Sequence, residues 1–235
     1  RFEAEEMAAI GALAANLAHE IRNPLNSINL NLELLEEDLD GDDAPARQSL
    51  ASTRAEVGRL ASLVSDFLTY ARPSEPDLTP VRIDAILDNV ASFLAVEARE
   101  MGVHLRVRPG VPQVKVRSDE GQLRQVLLNL VLNAVQSVRE LSADRRIVEL
   151  DARADAERAT IVFRDRGDGI SKADMERVRS AFYTKRRGGS GLGLAIAERF
   201  IEAQGGAIEL ENLNPSGFEA RVVLPIHSEA VKIGA

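Results

Sequence analysis

The spacing of apolar residues changes after Ala71, and this change constrains the fold more than any other feature. Up to that point apolar residues alternate between three- and four-residue spacings, with an interruption near Pro24 and turn-forming residues at Asp38–Pro45. The residues that carry the repeat are Met7, Ile10, Ala14, Leu17, Ile21, Ile28 and Leu35, then Leu50, Val57, Leu60, Val64, Phe67 and Ala71. A 3.5-residue repeat in two segments joined by a turn predicts a helical hairpin with coiled-coil seams.

The apolar stripes of this hairpin are too wide for two helices to cover. A helix that is apolar over more than one face must bury the remainder against another element. A second copy of the chain would complete a four-helix bundle, so we expect a homodimer. The same periodicity is compatible with a stalk that only dimerises.

A proline-rich linker follows the hairpin, and the pattern after it is mixed. Pro73, Pro76 and Pro80 stop the helix and keep the chain extended. Beyond them, helices are predicted at Ile83–Glu100, Glu120–Leu141 and Gly191–Gln204, and strands at His104–Arg108, Val114–Arg117, Ile147–Ala152, Thr160–Arg164, Ala207–Glu211 and Phe218–Leu224. Interleaved strands and helices predict an α/β sandwich, with one mixed sheet and helices on one face.

The whole chain is therefore predicted to be α+β, a helical hairpin followed by an α/β sandwich. Its predicted domains are the hairpin at 1–72, a linker at 73–80, the sandwich at 81–228 and a C-terminal tail at 229–235.

Charge and composition exclude several classes of protein. The 235 residues carry a net charge of −8, whereas general nucleic-acid binding needs clustered positive charge, so we expect no nucleic-acid partner. The absence of cysteine excludes disulfides and thiolate metal sites and fits a reducing compartment. The longest apolar stretches, Ala8–Ala15 and Val126–Val135, are too short to span a bilayer. Because the chain begins at Arg1 rather than Met, we expect a fragment, and any membrane anchor would lie upstream.

His19 lies on the first predicted helix at a position that faces solvent. With Leu17 and Ile21 at the d and a positions of the heptad, His19 falls at f, farthest from the seam. Glu20 is adjacent, and Asn23 lies four residues on, on the same face. A neutral imidazole is nucleophilic, and a neighbouring carboxylate can stabilise the charge that forms as it reacts. His19 is therefore a candidate phosphoryl acceptor, although an ordinary solvated histidine is the simpler alternative.

Two asparagines interrupt the apolar helix predicted at Glu120–Leu141. Asn129 and Asn133 are one turn apart and share a face. Amides on a buried helix need partners, because an unpaired one is costly. Either they bond to neighbouring backbone, or they offer oxygens to Mg²⁺ and donors to phosphates.

Two glycine-containing motifs follow. Asp165, Gly167 and Gly169 form a D-x-G-x-G motif after a predicted strand, where a turn can approach a flat ligand and the carboxylate can accept from an exocyclic amine. A simple turn is the alternative. The cluster Gly188–Leu194 opens a helix whose free N–H groups could bind phosphate, with Lys185 just before it. It is neither a P-loop nor a dinucleotide fingerprint, and a flexible basic loop is the alternative.

The run Ala18–Leu25, A-H-E-I-R-N-P-L, closely resembles the phosphoacceptor box of sensor histidine kinases of the class with H-E-x-R-N-P-L. The resemblance extends through both predicted helices. In that family the histidine accepts phosphate on a ring nitrogen, the adjacent glutamate is the general base, and the residue at the asparagine position helps to orient water for dephosphorylation of the partner. The resemblance implies these roles for His19, Glu20 and Asn23.

The region from about Asp119 to Leu224 resembles the Bergerat-type ATP-binding domain of histidine kinases, gyrase-type topoisomerases, mismatch-repair ATPases and a heat-shock chaperone. The resemblance implies that Asn133 binds Mg²⁺, that Asn129 lies by the phosphates and that Asp165 binds the adenine amine. It also implies that Gly167 and Gly169 make room for the base. The residues implied for the phosphates are Gly189, Gly191, Leu192 and Gly193, together with Lys185 in a lid over residues 171–190.

Together the resemblances imply ATP-dependent autophosphorylation of His19, followed by phosphoryl transfer to an aspartate on a response-regulator receiver domain. They imply ATP and Mg²⁺ as cofactors, a homodimer and a cytoplasmic location, in the cytoplasmic portion of a membrane sensor if the full-length protein is anchored. Two alternatives are a Bergerat-fold ATPase clamp and a catalytically inactive dimeric scaffold. The hairpin that carries His19 disfavours the clamp, and the intact Asn133, Asp165 and glycine motifs disfavour the scaffold.

Overall fold

The computed structural model describes residues 21, 25–36, 44–71, 74–185 and 189–226. The chain divides into two compact units. The first comprises Arg1–Ser74 together with Phe182–Leu192, and the second comprises Glu75–Ala181 together with Gly193–Ala235. The second unit thus begins inside the segment predicted as a linker, while the predicted domain boundaries themselves stay a prediction.

The first unit contains the predicted helical hairpin. Residues 25–36 form helix α1, and Ala44–Ala71 form helix α2. The two helices are in contact through a buried aliphatic cluster of Leu25, Leu32, Leu50 and Val57. The partly buried Ala61 packs against this cluster. The predicted turn falls largely on residues 37–43, which lie outside the described residues.

The second unit is built on a five-stranded mixed sheet. Its strands are β2 (His104–Val107), β4 (Ile147–Ala154), β5 (Arg158–Asp165), β6 (Ala207–Asn212) and β7 (Phe218–Pro225), and a separate antiparallel pair joins β1 (Thr79–Arg82) to β3 (Lys115–Ser118). The order in the sheet is β2-β4-β5-β7-β6, with β2 parallel to β4 and the other neighbours antiparallel. Alternate residues of β4 are buried, as expected for a strand whose sheet is covered on one face, and β5 follows the same alternation with Val162 buried in addition.

Three helices pack on this sheet and supply the rest of the core. They are α3 (Ile83–Glu100), α4 (Glu120–Val138) and α6 (Gly193–Ala203); a single turn, α5 (Lys172–Met175), precedes the last of them. Helix α4 begins where Asp119 accepts a hydrogen bond from Gln122 N at 2.9 Å, a side-chain N-cap. Because α4 contacts α3, α6 and the two central strands β4 and β5, it is apolar over most of its circumference.

The predicted helical region followed by a mixed α/β domain is confirmed, with local corrections. Helix α3 has the predicted bounds, but α4 ends at Val138 rather than Leu141. Helix α6 begins at Gly193 rather than Gly191, because Gly191 has a φ of +67° that a right-handed helix cannot contain. The prediction of one sheet was incomplete, since Thr79–Arg82, partly assigned to the linker, pairs with β3.

Within the part of the chain that the structure describes, no helix is both long enough and apolar enough to cross a membrane.

Candidate nucleotide-binding site

Three polar side chains follow one another along a single face of α4. Asn129, Asn133 and Ser137 are spaced by four residues, which places them on one stripe of a helix that buries nine of its other residues. Asn129 Nδ2 donates to the carbonyl oxygen of Gly193 at 3.3 Å, so the start of α6 lies against this stripe. The structure therefore brings together two of the residues predicted for the phosphates, Asn129 and Gly193.

Asp165 lies at the end of β5 with only 6 % of its surface exposed. Its Oδ1 accepts from Gly167 N at 2.7 Å. Its Oδ2 lies 3.0 Å from Ser137 Oγ, which is also 2.7 Å from the Ala134 carbonyl, so the hydroxyl proton is shared between two acceptors. The carboxylate is thereby fixed at the end of the same polar stripe, because Ser137 lies one helical turn beyond Asn133.

The glycines of the D-x-G-x-G motif lie in close contact with neighbouring side chains of the unit. A Cβ at Gly167 would lie 2.7 Å from Asp165 Oδ1, and a Cβ at Gly169 would lie 2.6 Å from Asn212 Oδ1. Gly169 also has a φ of +74°, in the left-handed region that favours glycine. Both positions thus hold the loop close to its neighbours, whether or not a base also uses the space.

Lys185, Gly189, Gly191 and Leu192, the other residues predicted for the nucleotide, belong to the first compact unit. Lys185 and Gly189 are exposed, and Leu192 is fully buried. Leu192 N donates to Ser190 Oγ at 3.2 Å, and that hydroxyl donates to Asp66 Oδ2 on α2 at 2.9 Å. Ser190 therefore connects Leu192 to the hairpin through a hydrogen bond to α2.

His19, Glu20 and Asn23 lie outside the described residues, so their predicted roles stay predictions.

Three residues at the site were missed by sequence reasoning, namely Ser137, Arg145 and Asn212. Ser137 continues the four-residue spacing of Asn129 and Asn133, and that spacing was a usable signal. Asn212 ends β6 and Arg145 lies in a short turn after α4, and neither belongs to a recognisable motif. Only the folded chain brings them to the loop that follows β5.

Comparison with known proteins matches both halves of the chain to family models in the predicted order. Residues 9–76 match the His Kinase A (phospho-acceptor) domain. Residues 118–228 match the histidine kinase-, DNA gyrase B- and HSP90-like ATPase family. The phospho-acceptor domain next to the ATPase domain favours the histidine kinases over the DNA gyrase B- and HSP90-like members of the second family. The chain contains the phospho-acceptor and ATPase domains that make up the catalytic core of a sensor histidine kinase.

Curated and solved relatives agree with this assignment. The chain is 30 % identical over 225 residues to the sensor histidine kinase ZraS of Salmonella typhimurium, covering 94 % of this chain and 47 % of ZraS. Full-length ShkA, solved in complex with AMPPNP, matches with a TM-score of 0.79 and 32 % identity over 92 % of this chain and 46 % of ShkA. The histidine kinase ThkA, solved in complex with the response regulator TrrA, shares the fold, with a TM-score of 0.68 and 23 % identity over 95 % of this chain and 64 % of that chain.

The chain spans about half the length of the curated relatives that it matches.

Proposed function

We propose that this chain transfers the γ-phosphoryl group of ATP to its own His19. The observation that carries the proposal is the buried carboxylate of Asp165, fixed by Gly167 N at the end of a polar stripe on α4. A fixed carboxylate at such a point can accept a hydrogen bond from the exocyclic amine of adenine. The complex of the related ShkA with AMPPNP, an ATP analogue, supports an adenine nucleotide.

The same carboxylate disfavours guanine. Guanine presents a carbonyl oxygen where adenine presents its amine, and two acceptors facing each other leave both without a donor. Because Asp165 is buried, water cannot easily compensate for that mismatch. We therefore expect ATP rather than GTP as the substrate.

The phosphates and Mg²⁺ are assigned to the other end of the polar stripe. Mg²⁺ keeps several waters and nucleotide oxygens and takes only one or two protein ligands. Asn133 is a half-buried residue on the face of α4 that carries Asn129, and its amide oxygen fits the role of a single protein ligand to Mg²⁺. When bound, the ion supplies positive charge that offsets the phosphates. The backbone N–H groups assigned to the phosphates are those of Gly189, Gly191, Leu192 and Gly193, with Lys185 as a further cation.

The transfer step breaks one bond as it forms another. A ring nitrogen of His19 attacks the γ-phosphorus, the bond to the β–γ bridging oxygen breaks, and ADP leaves. Glu20 accepts the proton of the imidazole as charge develops on the ring. Positioning and charge neutralisation supply most of the catalysis in reactions of this type.

The phosphoryl group then passes from His19 to an aspartate on a response-regulator receiver domain. ThkA, which shares the fold, was solved with a response regulator bound. Asn23 would orient water when the kinase removes phosphate from that partner. A homodimer and a cytoplasmic location complete the proposal.

One labelling experiment tests the proposal. The chain is incubated with Mg²⁺ and ATP labelled at the γ-phosphate, and protein-bound label is measured after acid and alkali treatment. We expect label that is labile to acid, stable to alkali and absent in His19→Gln. The matched control is His104→Gln, which removes an exposed histidine on β2 and should label like the wild type.

The two alternatives give different results in the same experiment. An ATPase clamp releases inorganic phosphate and leaves the protein unlabelled. An inactive scaffold leaves ATP intact. Either result, or label that persists in His19→Gln, would contradict the proposal.

A further inference from the structure

The loop that follows β5 is held by side chains that come from outside it. Arg145 is the last residue of a 3-10 turn, Ala143–Arg145, between α4 and β4. Its Nε donates to the carbonyl oxygen of Arg166 at 3.1 Å. Its Nη2 donates to the carbonyl oxygen of Gly167 at 3.0 Å and to Asp168 Oδ1 at 2.7 Å. One guanidinium therefore bonds to three consecutive residues of the D-x-G-x-G motif.

Asn212 holds the other end of the loop. Its Oδ1 accepts from Ile170 N at 2.8 Å, and its Nδ2 donates to the Ile170 carbonyl oxygen at 2.7 Å. The same carboxamide fills the space beside Gly169. The loop is thus clamped at both ends by residues that are distant in sequence.

The two clamps act on the group that we assign to the base. Gly167 N is the donor to Asp165 Oδ1, while the carbonyl oxygen of Gly167 is the acceptor for Arg145. If the guanidinium were removed, the Gly167 peptides could rotate and the carboxylate would lose a fixed donor. A binding loop that is ordered before the ligand arrives spares the ligand the cost of ordering it.

We propose that Arg145 is a positioning residue for the base of the nucleotide, and that Asn212 supports it from the opposite end of the loop. This inference rests on the proposed function and adds to it a residue that acts through the backbone of residues 166–168. An arginine is needed because its fork of donors reaches two carbonyl oxygens and a carboxylate at once, whereas a lysine has a single ammonium group.

The test compares the dissociation constants of ADP and ATP, measured by titration calorimetry on the whole chain. The variants are Arg145→Ala, Arg145→Lys and the control Arg139→Ala, which removes an exposed arginine paired with the adjacent Glu140. We expect Arg145→Ala to weaken ADP and ATP by the same factor, about tenfold, and Arg145→Lys to recover only part of the loss. Arg139→Ala should bind like the wild type. For Arg145→Ala, the kcat of autophosphorylation at saturating ATP should change less than about twofold, since the phosphate contacts are unaltered.

A second measurement needs no nucleotide. Amide hydrogen exchange of residues 166–170 should be faster in Arg145→Ala than in the wild type and unchanged in Arg139→Ala. Asn212→Ala should accelerate exchange in the same loop.

The possible failures are distinguishable. An Arg145→Ala chain that binds ADP as tightly as the wild type, or that loses far more affinity for ATP than for ADP, would overturn the positioning role and leave the proposed function standing. If Arg145→Ala bound fewer nucleotides per chain with an unchanged dissociation constant, part of the protein would be unfolded, and this result would also overturn the positioning role. A wild-type chain that binds neither nucleotide would overturn both proposals.

Discussion

Gly191 adopts a backbone conformation that combines two constraints. Its φ is +67°, and a Cβ there would lie 2.5 Å from the carbonyl carbon of Phe182 and 2.8 Å from Tyr183 N. Gly205, which follows α6, has a similar φ of +76°, but a Cβ there would meet no heavy atom within 4 Å. The two glycines therefore separate the effect of backbone strain from the effect of a steric clash.

We expect Gly191→Ala to weaken ATP binding at least about tenfold, because the backbone of residues 182–183 must move to admit the methyl group. Gly205→Ala carries only the left-handed strain, about 1 kcal/mol, and should leave ATP binding unchanged. Titration calorimetry gives the affinities, and urea denaturation gives the two stabilities. Equal effects of the two substitutions on ATP binding would contradict the steric explanation.

Asp66 is half-buried on α2, where it accepts the hydrogen bond from Ser190 Oγ at 2.9 Å. Burial raises the pKa of its carboxyl above the ordinary 3.8, and the Ser190 hydroxyl opposes this effect only in part. A raised pKa in the folded state means that folding favours the protonated form. The contribution of the Asp66 carboxyl to the free energy of unfolding is therefore fully present below pH 3.8. It is lost as the pH rises through the raised pKa of the folded state.

We expect Asp66→Asn to be at least as stable as the wild type at pH 7, because the amide oxygen still accepts from Ser190 and no charge is buried. The difference in free energy of unfolding between variant and wild type should shrink as the pH falls through the raised pKa. Urea denaturation at a series of pH values measures it. Asp88→Asn, an exposed position on α3, is the control. A difference that is independent of pH would contradict the assignment to Asp66.

At the scale of the strand, one row of charged residues crosses the whole five-stranded sheet. Arg106, Glu149, Arg164, Glu219 and Glu211 stand opposite one another on successive strands in the order β2-β4-β5-β7-β6. Partial burial would raise the pKa of Glu149, but hydrogen bonding and charge from Arg106 lower it overall. Signs alternate along the row until Glu219 meets Glu211.

Arg221 resolves the one repulsive step, because it forms ion pairs with both Glu211 and Glu219. Glu219 also pairs with Arg164, and its side chain is only 5 % exposed. Removing a nearly buried carboxylate from two arginines costs far more than breaking a surface pair, because the arginines are left without an anionic partner.

We expect Glu219→Gln to lower the free energy of unfolding by about 2 kcal/mol, because Arg164 and Arg221 lose a shared anionic partner. The matched control is Glu209→Gln, whose exposed carboxylate lies 3.4 Å from Arg221 and should contribute less than about 0.5 kcal/mol. Urea denaturation of both variants provides the comparison. A loss in Glu209→Gln as large as that in Glu219→Gln would show that the row does not act through its buried member.

The elements of the fold could be predicted from sequence where a period was repeated over several turns. Helix α3 has a clear amphipathic pattern, and its predicted bounds agree with the structure. The strand Thr79–Arg82 could not be predicted, because Pro80 is atypical of strands and the pairing with Lys115–Ser118 is distant in sequence.

The candidate site was predictable only in part, for a similar reason. Asp165 and the asparagines of α4 belong to motifs with fixed spacing, and the structure joins Asp165 to the stripe through Ser137. The side chains that hold the loop, Arg145 and Asn212, are brought there by tertiary packing alone. A motif thus identifies the residues of a site more readily than those that support them.

At the scale of the whole molecule, helix α1 carries two apolar rows with the same seven-residue spacing. Leu25 and Leu32 are buried against α2. Ile28 and Leu35 are exposed, with 43 and 54 % of their surfaces accessible, and Ile21, which precedes α1 at the same spacing, is 42 % exposed. A single chain therefore covers one row and leaves the other in water, which is unfavourable for a helix unless a partner covers it. We infer that this second row is the contact between two copies of the chain in a four-helix bundle.

From this inferred contact we expect Ile28→Glu to be a monomer at micromolar concentrations, with the dissociation constant for pairing of two copies raised at least about 100-fold, because a carboxylate would have to be buried without a partner. Asn26→Glu adds the same charge at an exposed position on another face of α1 and should leave the dimer intact. Sedimentation velocity over a range of concentrations distinguishes the two. ADP affinity should be the same in both variants, because Asp165, Arg145 and Asn212 belong to the second compact unit and Ile28 to the first. A dimer that survives in Ile28→Glu would rule out this row as the contact between copies, and a parallel loss of ADP binding would show that the base site depends on the hairpin.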